Sequence, residues 1–528
     1  MNPPTLACLI TSAYLQHFAS FLIRSLRSSQ GNSVDSRPGA GHPKETVPPE
    51  LRPIIKDGLT TQMMSTLTGG VFLVAFALML GASAPVIGLL AAIPPLAQLI
   101  QIPSIYLIER YRVRRKITVI AATISRVFLL LIAAIPFLFS PAIGLAVLIT
   151  ALALHASFGA VGGCSWNSWM HDLLPHDRLG SFFSKRMGLA TAVGIPLSLA
   201  AASFVDHWRA HFPHISIYGY SILFTLGFLS GLLGVYFISR IPEPAMAVEE
   251  EGRTVSTLIA RPFKDVNFKN LITFLASWNF AVNLAAPFFA VYMLLRLQLD
   301  ITFIIMLTVL SQVMNLLFLR IWGRFSDRYS NKTVLGVTGP LFIFSILAWT
   351  FTTLPEKHAL TIPLLVVIHL FLGISTAGVT LASGNIGLKL APKGQATAYL
   401  AATSFVTSLS AGIAPILGGL FANFFASREL SWTLAWKSPG RELLFQTLNL
   451  EHWDFLFFFA FLLGLYSLHR LSLVREIGEV EEKVILQELF SVVGRELKDI
   501  STAFGLRDIT LFPFSILRST FYRRKSRD

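Results

Sequence analysis

The chain has 528 residues, of which 53% are hydrophobic and 14% are charged. A soluble globular domain carries about 25% charged residues, so this composition argues against a cytosolic enzyme, a disordered chain or a secreted domain. The formal net charge is +14. In a soluble protein that charge would suggest nucleic acid, whereas in a membrane protein it indicates cytoplasmic loops that face anionic lipid.

Apolar stretches long enough to cross a bilayer recur along the whole chain. A helix needs about 20 apolar residues to cross the hydrocarbon core, and it satisfies its backbone polar groups internally. Twelve stretches have this length, so we predict an all-α polytopic membrane protein. The predicted spans are 59–80, 85–108, 117–139, 142–164, 187–205, 217–239, 271–294, 302–322, 333–354, 360–383, 397–424 and 454–474.

The basic residues predict the orientation of these spans. With the region before the first span placed in the cytoplasm, 36 of the 43 Lys and Arg residues fall on the cytoplasmic side, six fall on the opposite side and Arg126 lies inside a span. Cytoplasmic loops of membrane proteins carry such an excess. We therefore expect a multi-pass protein of the cell membrane, the bacterial inner membrane, with both termini cytoplasmic.

Two further segments, one at each end of the chain, lie outside the twelve spans. Residues 6–23 are apolar enough to form either an interfacial helix or an additional span. In the tail beyond 475, residues 479–497 predict an amphipathic helix, either on the membrane surface or solvated, and the basic residues at 523–525 favour anionic lipid. The predicted organisation is an N-terminal extension at 1–55, a first half at 56–239, a linker at 240–270, a second half at 271–474 and a tail at 475–528. The connection at 425–453 contains a predicted hairpin.

An internal repeat relates the two halves. The connection that starts at Glu109 matches the one that starts at Asp327, 218 residues later. Pro196 and Pro415 match at nearly the same offset, as do His155 and His369, which each begin a His-x-x-x-Gly pattern. Each half has an even number of spans, so both halves enter the membrane from the same side. The sequence therefore predicts two parallel six-helix halves.

The second of these connections carries a family pattern. Gly323 is followed by Asp327, Arg328 and Lys332, and 411–419 holds a Gly-Pro-Gly-Gly pattern. These motifs resemble those of major facilitator superfamily (MFS) transporters, in an uncharacterised bacterial branch, over about 55–475. The resemblance implies the MFS fold, a secondary transporter that rocks its halves, and a central cavity lined by spans 1, 4, 7 and 10.

The resemblance also implies that the two matching connections act as a gate. Carboxylates there can accept hydrogen bonds from arginines or from a helix N-terminus of a neighbouring span. Such contacts form when the halves close on the cytoplasmic side, so they would stabilise an outward-open state. The alternative is that the basic residues fix topology alone. The predicted gating residues are Glu109, Arg110, Arg114, Asp327, Arg328 and Lys332.

Polar residues of spans 1, 4, 7 and 10 are the predicted lining of a substrate cavity. Spacings of three and four put many of them on single helical faces. Polar side chains at this depth face a cavity or each other, and the alternative is that they bond between packed helices. The candidates are Gln62, Thr66, His155, Trp278, Asn279, Asn283, His369, Thr376 and Thr380.

Charged and titratable residues inside the spans are few. Arg126 is either a structural residue bonded to carbonyls of neighbouring spans or a cavity-facing cation for an anionic substrate. Asp57 is predicted to precede span 1, and no Asp or Glu is expected well inside a span. If protons are carried, His155 or His369 would carry them, since histidine titrates near neutrality. Facilitated diffusion and exchange are equally open.

The leading functional prediction is a secondary transporter that moves a small solute by alternating access. A transport-inactive membrane assembly or sensor protein on the same fold, and a lipid flippase, are the alternatives. No nucleophile elbow, phosphate-binding loop or metal-ligand cluster stands out in the sequence, so we predict no enzyme activity, no cofactor and no metal site. The expected partners are the solute, the lipid bilayer and protons through a histidine. We expect a monomer that binds no nucleic acid.

Overall fold

The computed structural model describes residues 49–174, 179–245, 261–353, 356–392, 396–438 and 441–480, together with 484–485, 487–489 and 491. Twelve helices within these residues are long and apolar enough to cross a membrane. This number equals that of the predicted spans, and the all-α polytopic fold is confirmed. In chain order they are α1 (Arg52–Met79), α2 (Ala84–Tyr111), α3 (Arg114–Leu138), α4 (Pro141–Leu173), α5 (Phe182–His211), α6 (Ile217–Ser239), α7 (Val266–Leu295), α8 (Ile301–Arg328), α9 (Asn331–Phe351), α10 (Thr361–Leu390), α11 (Tyr399–Phe425) and α12 (Trp453–Ser472).

Most helices continue past the apolar stretches that predict them. The 33 residues of α4 span about 50 Å at roughly 1.5 Å per residue, against a hydrocarbon core of about 30 Å. Helical hydrogen bonding therefore continues into polar sequence at the helix ends. As a result, α1 begins at Arg52 rather than at 59 and includes Asp57.

Two helices of the first half are interrupted. α1 breaks at Gly69, and the next residue, Gly70, has a φ of 57°, in the left-handed region that favours glycine. α2 contains Pro94 and Pro95, and a 3-10 turn at Gln98–Ile100 follows them. Proline removes a helical hydrogen bond and bends a helix, so the last segment of α2 takes its own direction.

The helices pack in the same pattern in both halves. In the first half, α1 packs against α5 and α6, α3 against α4 and α6, and α2 against α4. Six helices later, α7 packs against α11 and α12, α9 against α10 and α12, and α8 against α10. The halves meet along α2 with α11 and along α5 with α8, which are equivalent pairs with the halves exchanged. The internal repeat in the sequence thus appears as two matching bundles.

Backbone-to-backbone contact joins the halves along α2 and α11. A Cβ atom added to Gly88 would lie 2.1 Å from the carbonyl oxygen of Pro415, and one added to Gly419 would lie 2.4 Å from that of Ala84. Such distances leave no room for a side chain, so glycine is required at both positions. These contacts fix the two halves at the end of the bundle where α2 begins and α11 ends.

A carboxylate joins the halves at the same end. Asp206, near the end of α5, accepts hydrogen bonds from the backbone N–H groups of Ile301 and Thr302 at 3.2 and 2.7 Å. Those groups form the first turn of α8, where negative charge is favoured. Within the described ranges, these are the hydrogen bonds between the two halves.

The opposite end, which carries the connections at 109–114 and 327–332 and the start of the linker, is here called the linker end. No ion pair or hydrogen bond joins described residues of the two halves there. Past its 3-10 turn, α2 exposes Ile105 and Tyr106, by 49% and 66%. The described hydrogen bonds and close backbone contacts between the halves therefore lie at the end opposite the linker end.

A β-hairpin connects α11 to α12, as the sequence predicts. Its strands, β1 (Glu429–Ser438) and β2 (Arg441–Glu451), pair antiparallel with a bulge between Trp432 and Thr433. Trp432 and Trp436 are mostly exposed. The hairpin lies at the end where the halves are joined, because it follows the end of α11.

Candidate functional site

The two predicted cavity histidines lie in helix-packing contacts. The Nδ1 atom of His155 on α4 is 3.0 Å from the hydroxyl of Ser125 on α3, which also donates to the carbonyl of His155 at 2.9 Å. His369 on α10 is 6% exposed, with Nδ1 2.8 Å from the carbonyl oxygen of Leu365 and its ring edge-on to Trp349. These contacts favour the helix-packing alternative for both residues in this arrangement.

The candidates on α7 are divided between packing and the helix surface. Trp278 is 5% exposed and packs on Phe342 of α9. Asn279 and Asn283 are half-buried, and each donates from Nδ2 to a carbonyl one turn earlier on α7, at 2.8 Å. Their side-chain oxygens keep the capacity to accept a hydrogen bond from a ligand.

The candidate side chains on α1 and α10 are half-buried or exposed. Gln62 donates to the hydroxyl of Thr66 at 3.2 Å, and both side chains are half-buried. On α10, Thr376 is half-buried and Thr380 is exposed. Gln62 is the candidate that the structure brings into a pocket.

That pocket lies between α1 and α5, near the linker end. It has a volume of about 160 Å³, and its polar lining comes from Thr61, Gln62, Ser65, Arg186 and Thr191. Water occupies about 30 Å³ in the liquid, so the pocket has room for a small polar group with its solvent. It combines hydroxyl, amide and guanidinium groups in one place.

Arg186, which lines this pocket, is held in an ion pair. Arg186 on α5 donates from Nη2 to the carboxylate of Asp57 on α1 at 3.2 Å and from Nε to the carbonyl of Ile54 at 3.2 Å. Asp57 is 3% exposed, and the hydroxyl of Thr61 also donates to it, at 3.2 Å. The expectation that Asp57 precedes span 1 is therefore wrong, because the helix continues past the apolar stretch and Arg186 compensates the charge.

A second arginine lies close to the same carboxylate. Arg126 on α3 is 8% exposed, and its Nε atom has no hydrogen-bond acceptor in the described part of the chain. A Cβ atom added to Gly231 of α6 would lie 2.8 Å from Arg126 Cγ, and one added to Gly234 would lie 3.5 Å from Asp57 Oδ1. Arg126 and Asp57 thus contact α6 one turn apart.

The first predicted gating connection divides between exposed and buried residues. Glu109 and Arg110 are exposed at the end of α2. Arg114 is instead fully buried at the start of α3, where it pairs with Asp172 of α4 at 2.5 Å and donates to the carbonyl of Pro244 at 3.1 Å. In this arrangement Arg114 holds α3, α4 and the start of the linker together.

In the second connection, the basic residues bind the tail. Arg328 pairs with Glu488 at 2.6 Å, and Lys332 pairs with Glu479 at 2.8 Å. Asp327 is exposed, and none of the described residues pairs with it. Burial raises the pKa of Glu479, but the hydrogen bond and charge of Lys332 lower it more, so this pKa lies below its usual range.

Glu476 anchors the tail more deeply. It is 7% exposed and accepts from Asn331 Nδ2 at 2.9 Å and from the backbone N–H of Lys332 at 2.7 Å. Lys389 of α10 pairs with it at 3.1 Å. Its carboxylate therefore caps the N-terminus of α9, where negative charge is favoured. We call this set of contacts from Glu476, Glu479 and Glu488 the tail clasp.

Sequence reasoning did not identify Asp57, Arg186 or the glutamates of the tail clasp as site residues. In the sequence, a basic residue near the end of a span is interpreted as a sign of orientation, so nothing indicates that Arg186 pairs with a carboxylate. The signal for Asp57 was its position five residues after Arg52 in continuous helix-forming sequence. No local pattern marks Glu476 and Glu479, because their partners Asn331 and Lys332 are distant in the sequence.

Comparison with known proteins gives the family. The model of the Major Facilitator Superfamily matches residues 58–415 and 270–483, and no curated protein sequence matches the chain. The structure is similar to the nucleoside transporter NupG, with 14% identity over 81% of this chain and 99% of that one and a TM-score of 0.57. It is also similar to a D-xylose-proton symporter (14%, 82% and 98%, TM-score 0.57) and to the POT family transporter PepTSo (13%, 81% and 98%, TM-score 0.58). At these identities the likeness shows a common fold, and the family match shows that the chain belongs to the major facilitator superfamily.

Proposed function

We propose that the protein is a secondary transporter that moves a small solute across the membrane by alternating access. The observation that carries this proposal is the asymmetry between the two ends of the bundle. The halves are in backbone contact and hydrogen-bonded at one end, no hydrogen bond or ion pair joins their described residues at the linker end, and the helices pack in the same pattern inside each half. Two packed bodies that meet along equivalent helix pairs, α2 with α11 and α5 with α8, can rock to exchange the open end.

The charged connections support a gate at the linker end. Glu109 and Asp327 are exposed and lie at the ends of α2 and α8, which are equivalent helices of the two halves. Their carboxylates are available to helix N-termini or arginines of neighbouring helices once the halves close there. We propose that these contacts stabilise the state that is open at the opposite end.

The basic residues support an orientation with the linker end in the cytoplasm. The 36 Lys and Arg residues of that side include those of both gating connections and of the tail. The positive-inside tendency of membrane proteins then favours a bacterial inner-membrane protein with both termini cytoplasmic. The solute and the bilayer are its proposed partners, and the proposed active form is a monomer.

The proposal is testable by locking the end where the halves meet. The Asp206 carboxylate lies 2.7 Å from the backbone nitrogen of Thr302, so cysteines are placed at these two positions, and disulfide formation is verified by a gel shift before transport is measured. Cys8 and Cys164 are first replaced by serine. A thermal-shift screen supplies the solute, because a ligand that binds the native state raises its apparent stability. Counterflow of that solute is then measured in proteoliposomes.

Oxidation of the Asp206→Cys/Thr302→Cys protein should abolish counterflow, and reduction should restore it. The two single-cysteine proteins are matched controls and should keep their activity under the same oxidant. Full counterflow with the crosslink in place would refute alternating access through this interface. Binding without any counterflow in the unmodified protein would instead favour a sensor or assembly protein on the same fold.

A further inference from the structure

We propose that the pocket between α1 and α5 binds the carboxylate or phosphate group of a small soluble anion. The inference rests on the proposed transport function and deepens it by naming the substrate class. It is carried by the geometry of Arg186, by the polar groups around it and by the charge balance of the buried residues nearby.

The helices are shaped to admit the two largest polar side chains of the pocket. A Cβ atom added to Gly58 of α1 would lie 2.5 Å from Arg186 Nε, and one added to Gly194 of α5 would lie 3.0 Å from Gln62 Nε2. Each glycine thus accommodates a polar side chain from the facing helix. This reciprocal arrangement places the side chains of Arg186 and Gln62 between α1 and α5 rather than on the outer surface of the helices.

The guanidinium group of Arg186 is held in place but keeps unused hydrogen-bond donors. Nε and Nη2 donate to Ile54 and Asp57, and the guanidinium lies over the ring of Trp166, with Cζ 5.0 Å from the ring centroid. Its Nη1 atom donates to none of the described residues. An arginine held by two fixed acceptors and a ring presents its remaining N–H groups in a preset direction, which suits a carboxylate or phosphate oxygen.

The remaining lining supplies further donors. The hydroxyl of Thr191 and the amide of Gln62 line the same pocket. Thr191 makes no hydrogen bond to another described residue, and Gln62 Nε2 keeps one N–H beyond its bond to Thr66, whereas the Ser65 hydroxyl already donates to the carbonyl of Gln62. Hydroxyls and amides donate readily to anionic oxygens. The pocket volume of about 160 Å³ fits one such group rather than a lipid tail.

The buried charges favour an anion in this region. Arg186 pairs with the buried carboxylate of Asp57, whereas Arg126 forms no ion pair with a described carboxylate. The Nε atom of Arg126 lacks an acceptor in the described part of the chain, at 8% exposure. A buried charge without compensation is costly, more so within a membrane. A bound anion beside Arg186 would supply the negative charge that the residues themselves do not.

The test measures binding to the full purified chain in a neutral detergent. The probes are inorganic phosphate, acetate, succinate and citrate, with xylose, uridine and choline as neutral and cationic comparators at equal ionic strength. At least one anion should raise the unfolding temperature in a saturable manner, and the comparators should not. A shift that appears with vesicles of phosphatidylglycerol but with none of the soluble anions would overturn the proposal in favour of a lipid headgroup.

Variants assign the binding to this pocket. Thr191→Val and Gln62→Met leave the ion pair intact and should weaken anion binding about tenfold, since a hydrogen bond to a charged group contributes roughly 1.5–3 kcal/mol. Thr150→Val is the matched control, because this exposed hydroxyl on α4 donates to its own helix. Equal affinity in Thr191→Val, Gln62→Met and Thr150→Val would refute the assignment.

The charge requirement has a separate test that avoids an unpaired buried charge. The double variant Asp57→Asn/Arg186→Gln removes both charges and should lose anion binding while it remains folded. Asp57→Asn alone keeps Arg186, removes the competing carboxylate and should bind the anion more tightly. Unchanged binding in the double variant would overturn the proposal. Counterflow of a neutral solute with no anion binding would refute this subsite alone, whereas anion binding without counterflow would refute transport alone.

Discussion

Arg186 and Asp57 form an ion pair at 3.2 Å that links α5 to α1 inside the first half. Their side chains are 19% and 4% exposed, so the pair is largely removed from water. Both residues lie in helical segments that the apolar pattern places outside the spans. The pair therefore links the two helices that form the pocket.

Removal of one partner of this pair should be strongly destabilising. Arg186→Gln leaves the Asp57 carboxylate buried and uncompensated, for which a loss of about 3–5 kcal/mol in the free energy of unfolding is expected. The double variant Asp57→Asn/Arg186→Gln should recover most of that loss. Thermal unfolding in detergent measures both. Equal instability of the single and double variants would show that the pair contributes through packing and not through charge.

The glycine contacts between the halves should control which end is open. Gly419→Ala places a methyl group against the carbonyl of Ala84, where there is space for none, and should cost about 1–3 kcal/mol in the joined arrangement. We expect the population to move away from the state open at the linker end. In a protein whose only cysteine is introduced by Tyr106→Cys, the rate of thiol labelling should fall.

Gly163→Ala is the matched control for that experiment. Gly163 also lies in a helix, α4, but a Cβ atom there would meet nothing within 4 Å. Its labelling rate at Tyr106 should equal that of the unmodified protein. A similar slowing in both variants would mean that helix propensity, and not the contact between α2 and α11, is responsible.

The exposed carboxylate of Asp327 should matter for transport and not for folding. Asp327→Asn removes the charge that would bind the other half when the linker end closes, so counterflow should fall while membrane insertion stays normal. Asp300→Asn is the matched control, because Asp300 is exposed at the start of the same helix α8. Unchanged counterflow at equal expression would reject the gating role.

The tail clasp should weaken in acid. The pKa of Glu479 lies below its usual value of 4.5, since the contact with Lys332 outweighs burial. Its stabilising contribution is therefore fully present above about 4.5 and is lost as the pH falls through the lower value of the folded protein. Hydrogen exchange at 473–480 should accelerate over that window. Glu479→Gln should exchange rapidly at every pH, and a pH response preserved in that variant would contradict this origin.

Proton coupling through a histidine stays a prediction. His369→Ala should abolish any uptake driven by a pH gradient, because histidine is the side chain whose unperturbed pKa suits a proton carrier near neutrality. The comparison is uptake of the same solute by the unmodified protein with and without a gradient. Equal uptake in both conditions would remove the premise for His155 as well as for His369.

Hydrophobic patterning predicts the membrane architecture well and its polar interior poorly. The twelve spans follow from apolar length alone, and the parallel halves follow from the matched connections that begin at Glu109 and Asp327. Asp57 was misplaced because helices continue beyond their apolar stretches when a partner such as Arg186 compensates the charge. That partner comes from a distant segment, so no local pattern reveals it.

The tail shows the same limit of local reasoning. The described residues 484–485, 487–489 and 491 of the predicted tail helix are helical, but no amphipathic pattern predicts that Glu476, just before it, caps α9. A helix N-terminus accepts a carboxylate from any segment that reaches it. The sequence contains both groups, but their meeting depends on the end of α12 lying beside the start of α9.

Alternating access is tested most directly by two distances measured in the same preparation. Spin labels at Tyr106 on α2 and Phe405 on α11 report the linker end, and labels at Ile215 and Leu360, both exposed, report the opposite end. Double electron–electron resonance, recorded at several pH values and with a bound solute, should give two populations of label-to-label distance at each end. The account predicts that the first distance shortens as the second lengthens. Distances that stay single and fixed, or that lengthen together, would contradict it.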